Sequence, residues 1–188
     1  KQLIKNNPMV AVQNKPSQPK PNRVEYLSVA EVEKLLALND EWTPFFTLMI
    51  QTGLRSGEQV GLKWDKVFLP DNETDDGYLD VDLCVQRVPK TLSEKPLRIT
   101  TPKNEESRRR VPFNSDVVRM LKAQKDRQHI LRGNDIVNQA DYDIAPMWNE
   151  TGFVFTDEQG NHLDPTKPFR ELQNAMKTIG VERHIRIH

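Results

Sequence analysis

Arg55 and Glu58 are the residues whose types and spacing most strongly suggest chemistry. Arg55 comes just after Gly53, a residue that commonly ends helices, and Glu58 follows three residues later on the same helical face. A guanidinium presents five donors in a planar fork, which suits the non-bridging oxygens of a phosphodiester. Arg55 is therefore a candidate phosphate ligand. The alternative is a surface ion pair with Glu58, worth about 0.3–0.5 kcal/mol.

Basic residues are concentrated in two regions, residues 1–27 and 84–113, of a chain whose formal net charge is zero. Between Cys84 and Phe113 there are eight basic and three acidic residues, whereas residues 134–164 hold seven acidic residues and no lysine or arginine. Such asymmetry is typical of a face that meets a polyanion, although a solvated charged face is the alternative. The residues expected to contact DNA are Lys90, Lys95, Arg98, Arg108, Arg109 and Arg110.

Composition excludes several classes of protein and site. The 188 residues are 36% hydrophobic, and none of their apolar runs approaches the roughly 20 residues that a membrane span needs. With Cys84 as its one cysteine, the chain can form no intrachain disulfide and no cysteine-based zinc site. His184 and His188 have a spacing that could hold a metal on a helix, but no third ligand is near in sequence. We expect a cytoplasmic protein with no metal and no other cofactor.

Helices are expected over most of the chain after a proline-rich segment. Residues 13–24, with three prolines, are interpreted as a linker, and residues 1–12 as the end of a preceding domain. Ser28 and Glu31 form a capping-box pattern, and Ser115 and Asp164 are expected to cap later helices. The predicted helices cover residues 28–38, 42–51, a short stretch after Arg55, 115–131 and 164–179.

A small sheet is expected between the second and third longer helices. Leu79, Val81, Leu83 and Val85 alternate with less apolar residues, which is the period of a half-buried strand. Residues 97–101 and 109–113 are two further short strands, joined by a polar turn that carries Lys103. The predicted fold class is mainly α with a small three-stranded antiparallel β-sheet, that is, α+β. Taken alone, Lys103 would be an ordinary solvent-exposed turn residue.

In this order the motifs resemble the catalytic domain of the tyrosine recombinases, the family of phage and conjugative-transposon integrases. The sequence TGLRSGE at residues 52–58, followed by GLKW at 61–64, is similar to the family's first arginine box. TPK at 101–103 with SRR at 107–109 and VP at 111–112 resembles its β-hairpin lysine motif. IRIH at 185–188 matches the beginning of its His-x-x-Arg box. The resemblance covers about residues 7–188, with residues 25–188 as an incomplete catalytic domain.

The resemblance implies DNA strand cleavage by a tyrosine through a 3′-phosphotyrosyl intermediate, without a metal. Arg55 would neutralise charge on the phosphate, and Glu58 would orient Arg55 or a neighbouring base. Lys103 would protonate the leaving 5′-oxygen, and His188 would assist proton transfer or hold the phosphate. The family's second arginine and nucleophilic tyrosine have no counterpart here, so we expect these residues alone to bind DNA weakly without cleaving it.

The implied function is site-specific integration or excision of a mobile element. The implied partners are double-stranded DNA attachment sites, a homotetramer on DNA and a possible directionality factor, with no membrane partner. The main alternative is a non-catalytic DNA-binding or architectural module. A helical interaction domain without a nucleic-acid role and a relaxing, topoisomerase-like enzyme are further alternatives.

Overall fold

The computed structural model describes residues 25–88, 97–101, 108–139, 148–183 and 185, and these contain five α-helices and five short strands. The expected mainly helical α+β class with a three-stranded antiparallel sheet is confirmed. Within this part of the chain, none of the helices is long and apolar enough to cross a membrane. The expected tail and linker lie outside the described residues. The helices are α1 (Val29–Leu36), α2 (Thr43–Thr52), α3 (Ser56–Val60), α4 (Ser115–Gln139) and α5 (Lys167–Thr178).

The first two helices begin close to where the sequence predicts, although α1 ends at Leu36, two residues before the expected Leu38. Ser28 caps α1, with Glu31 completing the capping box as expected. The aromatic side chains of α2, Phe45 and Phe46, are 1% exposed and pack in the core. Gly53 ends α2 with a φ of 63°, a left-handed conformation that glycine adopts without strain. The chain can therefore turn sharply into α3.

The short helix α3 packs tightly on its neighbours. Gln59 is fully buried, and its side-chain amide donates a 2.6 Å hydrogen bond to the backbone carbonyl of Phe45 in α2. On the other side, a Cβ at Gly57 would lie 2.7 Å from the carbonyl oxygen of Val85 and 2.9 Å from Sγ of Cys84. Because a glycine stands here, the backbone of a strand can approach the helix directly.

The strands form two small sheets, and their pairing differs from the sequence expectation. They are β1 (Val67–Phe68), β2 (Gly77–Val81), β3 (Cys84–Arg87), β4 (Leu97–Thr100) and β5 (Arg109–Phe113). The three-stranded antiparallel sheet has the order β1-β2-β5, and β3 pairs with β4 in a separate two-stranded sheet. The single strand expected across residues 79–85 is interrupted at Asp82 and Leu83, so its halves join different sheets. Consequently, β5 pairs with β2 instead of β4.

Helix α4 begins and ends differently from the expectation. Asn114 caps it in place of Ser115, since its Oδ1 accepts a 3.2 Å hydrogen bond from the backbone N–H of Val117. The helix continues to Gln139, past the expected end near Leu131. The side-chain amide of Gln128 donates to the backbone carbonyls of Phe153 and Val154, and this contact fastens α4 to residues 153–156.

Helix α5 starts later than expected and is held to the first helix through the residues that follow it. Thr166 precedes the helix, and Asp164 lies upstream, where it accepts hydrogen bonds from the backbone and hydroxyl of Thr166. Gly180, with a φ of 80°, follows the helix end as expected. Beyond it, Arg183 donates hydrogen bonds of 2.6 and 2.5 Å to the carboxylate of Glu31 in α1.

Candidate phosphate-binding site

Arg55 lies at the junction of α2 and α3, in an extended conformation at the N-terminal end of α3. Its backbone N–H donates a 3.0 Å hydrogen bond to Oε2 of Glu58, and the preceding residue, Leu54, is buried. The backbone of Arg55 is therefore fixed on both sides. Its side chain nevertheless remains 73% exposed, so the guanidinium is available to a ligand in solvent.

Glu58 accepts hydrogen bonds from two arginines while its side chain is 5% exposed. Nη1 of Arg55 lies 3.0 Å from Oε1, and Arg109 reaches both carboxylate oxygens, with Nη2 at 2.8 Å from Oε2 and Nη1 at 3.2 Å from Oε1. Burial alone would raise the pKa of the Glu58 carboxyl. The hydrogen bonds from Arg109, from the Arg55 backbone and from the Arg55 side chain outweigh burial and lower the pKa below 4.5. Glu58 is therefore an anion at neutral pH.

Two cations on one carboxylate leave this cluster with one positive charge in excess. A buried carboxylate fixes the position of its partners, because it depends on their hydrogen bonds in place of water. The exposed guanidinium of Arg55 is thus held through Nη1 by the buried Glu58 carboxylate. Such a group can bind an anion with little loss of side-chain freedom.

The three predicted DNA contacts at residues 108–110 point in different directions. Arg109 faces the core side of the sheet, opposite Val81 of β2, and contacts Glu58. Arg110 faces the outer side, where it pairs with both oxygens of Asp80 and lies 3.9 Å from the ring centroid of Tyr78. Arg108 is exposed. Neighbouring residues of a strand point to opposite faces, so one ligand on the Arg55 side cannot engage all three equally.

The remaining predicted site residues fall into two groups. Arg98 is exposed on β4. The four other predicted residues lie outside the described residues: Lys90, Lys95, Lys103 and His188. The structure therefore brings together Arg55, Glu58 and Arg109 from the predicted set.

Two contacts around α3 were missed by sequence reasoning. The hydroxyl of Ser56 donates a 3.1 Å hydrogen bond to the carbonyl of Pro165, just before α5. Arg87 of β3 forms a 2.8 Å ion pair with Asp164. These contacts connect the N-terminal end of α3 and the second sheet to the same segment. In each contact the two residues are far apart in sequence, so no local pattern could predict the contact.

Around Arg55, the residues that the structure describes form an open surface. Two cavities of about 300 and 370 Å³ lie elsewhere, one between α2 and α4 and the other beside Trp64, and neither is lined by Arg55, Glu58 or Arg109. Among the described residues, no group of three or more His, Cys, Asp or Glu side chains could hold a metal ion. An exposed cation on an open surface suits the backbone of a macromolecule better than an enclosed small molecule.

Two curated proteins resemble the chain in sequence, although no protein-family profile matches it. A tyrosine recombinase XerC-like protein of Caldanaerobacter subterraneus subsp. tengcongensis is 28% identical over 185 residues, which cover 92% of this chain and 43% of that protein. The ICEBs1 integrase of Bacillus subtilis is 27% identical over 134 residues, covering 69% of this chain and 33% of the relative. The chain thus spans less than half the length of these relatives.

Solved structures show the same fold. XerA recombinase superposes with a TM-score of 0.60 at 17% identity, covering 90% of this chain and 48% of that one. The Tn1549 transposon integrase, in complex with circular intermediate DNA, gives a TM-score of 0.56 at 17% identity over 85% of this chain and 48% of the other. With the sequence relatives, these likenesses confirm the resemblance drawn from the motifs: the chain has the fold of a tyrosine recombinase catalytic domain.

Proposed function

We propose that this chain carries the phosphate-binding part of an enzyme for site-specific DNA recombination, in which strands are cut and rejoined through a 3′-phosphotyrosyl intermediate. One observation carries the proposal. The Arg55 guanidinium is exposed on an open surface while the buried Glu58 carboxylate holds it from behind. The sequence relatives, a tyrosine recombinase and an integrase, support this reading.

In the proposed reaction, Arg55 binds the non-bridging oxygens of the scissile phosphate. Negative charge builds on these oxygens in the pentavalent transition state, and a fixed guanidinium stabilises it without needing to reorganise. Glu58 orients Arg55. Lys103 is proposed to protonate the leaving 5′-oxygen, and His188 to assist proton transfer or hold the phosphate.

We assign no nucleophile to this chain. Tyr78 lies on the outer face of the sheet, stacked on Phe68 at 4.8 Å between ring centroids and covered by Arg110. Arg109, which reaches the Arg55 cluster, projects from the opposite face of that sheet. Tyr26 is 79% exposed ahead of α1, and Tyr142 lies outside the described residues. We therefore propose that the 188-residue chain binds DNA without cleaving it.

The proposed partner is double-stranded DNA at attachment sites of a mobile element. The Tn1549 integrase structures contain transposon or circular intermediate DNA, which supports this assignment by analogy of fold. A homotetramer on DNA, a directionality factor and a cytoplasmic location remain predictions from the resemblance. The alternative of a non-catalytic DNA-binding module would use the same basic surface, but it gives no reason for a buried carboxylate behind Arg55.

The proposal is tested by titrating the chain with a labelled DNA duplex at two salt concentrations. We expect binding that weakens steeply with salt, and an Arg55→Gln variant that binds about tenfold more weakly, with a salt slope smaller by about one. Arg119→Gln is the matched control, because Arg119 is also exposed and paired at i,i+3 spacing, with Asp116, but lies on α4. Salt-independent binding, or equal losses in both variants, would contradict the proposal.

The absence of cleavage is tested with a nicked suicide substrate that traps any covalent protein–DNA adduct. We expect no adduct with the 188-residue chain. An adduct mapped to Tyr26, Tyr78 or Tyr142 would show that the chain carries its own nucleophile.

A further inference from the structure

Arg109 was predicted from the sequence to contact DNA, yet its described contacts point inward. Its guanidinium gives two hydrogen bonds to Glu58, one to each carboxylate oxygen. Its side chain is 34% exposed, about half the exposure of the Arg55 side chain. This two-pronged geometry is the strongest arrangement available to an arginine and a carboxylate.

Arg55 holds the same carboxylate with fewer donors. It contributes its backbone N–H and one guanidinium nitrogen, Nη1. Within the described part of the chain, the other guanidinium nitrogens of Arg55 donate no hydrogen bond. Those nitrogens are therefore available to an external anion.

The two arginines compete for the same acceptor. A buried carboxylate that loses a partner must recover hydrogen bonds, because an unpaired buried charge is costly. Without Arg109, the other nitrogens of the Arg55 guanidinium are donors on a group that already bonds this carboxylate through Nη1. Drawing one of those nitrogens toward Glu58 would turn the Arg55 fork inward and reduce its reach to a ligand.

We propose that Arg109 is a positioning residue that occupies the Glu58 carboxylate and thereby keeps the outer edge of the Arg55 guanidinium free to bind phosphate. The contact also joins the first residue of β5 to α3, although the partners are 51 positions apart in sequence. Only the identity of the anion, a DNA phosphate, rests on the proposed function. The arrangement of the two arginines around Glu58 does not.

A double-mutant cycle on the full chain separates positioning from direct contact. DNA affinity is measured for Arg109→Gln, Arg55→Gln and the double variant, with Arg119→Gln as control because Arg119 is an exposed arginine of α4 that pairs with Asp116. We expect Arg109→Gln to weaken binding about tenfold when Arg55 is present and by less than about twofold when Arg55 is absent. Losses that multiply in the double variant would mean that Arg109 contacts DNA itself, and would overturn the proposal.

A second measurement does not depend on DNA. Side-chain NMR of the Arg55 Nε–Hε group and of the Glu58 carboxyl follows the cluster directly. In Arg109→Gln we expect a changed Arg55 signal and a higher Glu58 pKa, with neither change in Arg110→Gln. Unchanged Arg55 and Glu58 signals in Arg109→Gln would overturn the proposal. Should the chain bind no DNA, the proposed function fails, and these signals still decide the role of Arg109.

Arg109→Lys covers the case in which the glutamine variant does not fold. Lysine keeps the charge but cannot span both carboxylate oxygens with a rigid fork. We expect a folded protein whose Glu58 stays ionised at neutral pH but whose Arg55 signal differs from the wild type. An Arg55 signal identical to that of the wild type would count against positioning by Arg109.

Discussion

Replacing Gly57 by alanine tests how closely α3 approaches β3. The added Cβ would lie 2.7 Å from the carbonyl oxygen of Val85, a backbone atom that cannot swing aside, and 2.9 Å from Sγ of Cys84. Overpacking of this kind typically costs about 1–3 kcal/mol. Alanine recovers up to about 1 kcal/mol through its better helix propensity. We therefore expect the free energy of unfolding to fall by about 1–2 kcal/mol, measured by urea denaturation followed through tryptophan fluorescence.

Gly133→Ala is the matched control. Gly133 lies inside α4, and a Cβ there would meet no atom within 4 Å. The same chemical change should then raise the free energy of unfolding by about 0.5–1 kcal/mol, since only the propensity gain remains. Equal effects at the two glycines would refute the argument that direct backbone contact at Gly57 sets the spacing between α3 and β3.

Two further predictions concern side chains that join distant parts of the chain. Gln128→Leu removes the acceptor that lies 2.7 Å from Nε1 of Trp64 and the donor to the carbonyl of Phe153. We expect the free energy of unfolding, measured in urea, to fall by about 2–3 kcal/mol, and the fluorescence of Trp64 to change. A loss below about 0.5 kcal/mol would mean that these bonds are replaced in the variant. The pKa of Glu31 is lowered to about 2, chiefly by the hydrogen bond from Arg183, so its stabilising effect should be complete above pH 4.5 and lost as the pH falls toward 2. Glu31→Gln should therefore lose stability less steeply over that interval, and identical acid profiles for the two proteins would contradict this.

Local signals in the sequence predicted the ends of several elements correctly. The capping box at Ser28 and the left-handed Gly53 depend on a few neighbouring residues, so a sequence can specify them without knowledge of the rest. Helix α4 shows the limit of this approach. Its apolar spacing fades after Leu131, but the helix continues to Gln139 through Gly133, Asn134 and Asp135, which have low helix propensity. Neither the apolar pattern nor propensity therefore marks its end.

Strand pairing could not be predicted from alternation. A period of two tells which face a residue occupies but not which strand lies beside it. The run from Leu79 to Val85 keeps one period although it contributes to two sheets. For a similar reason, the contact between Arg109 and Glu58 was not predicted. The inward direction of Arg109 follows from its register with Val111 and Phe113 on β5, but its contact with Glu58 depends on the placement of α3.

The Glu31–Arg183 contact has a consequence for the order of events during synthesis. The two residues are 152 positions apart, and Glu31 also completes the cap of α1. At about 5–20 residues per second, a ribosome would add Arg183 roughly 8–30 s after Glu31. Helix α1 can pack against α2 during that time, but Glu31 gains the hydrogen bonds of Arg183 only when the later segment arrives. During synthesis, the first helix would therefore be held by its capping box and by apolar contacts before the ion pair with Arg183 forms.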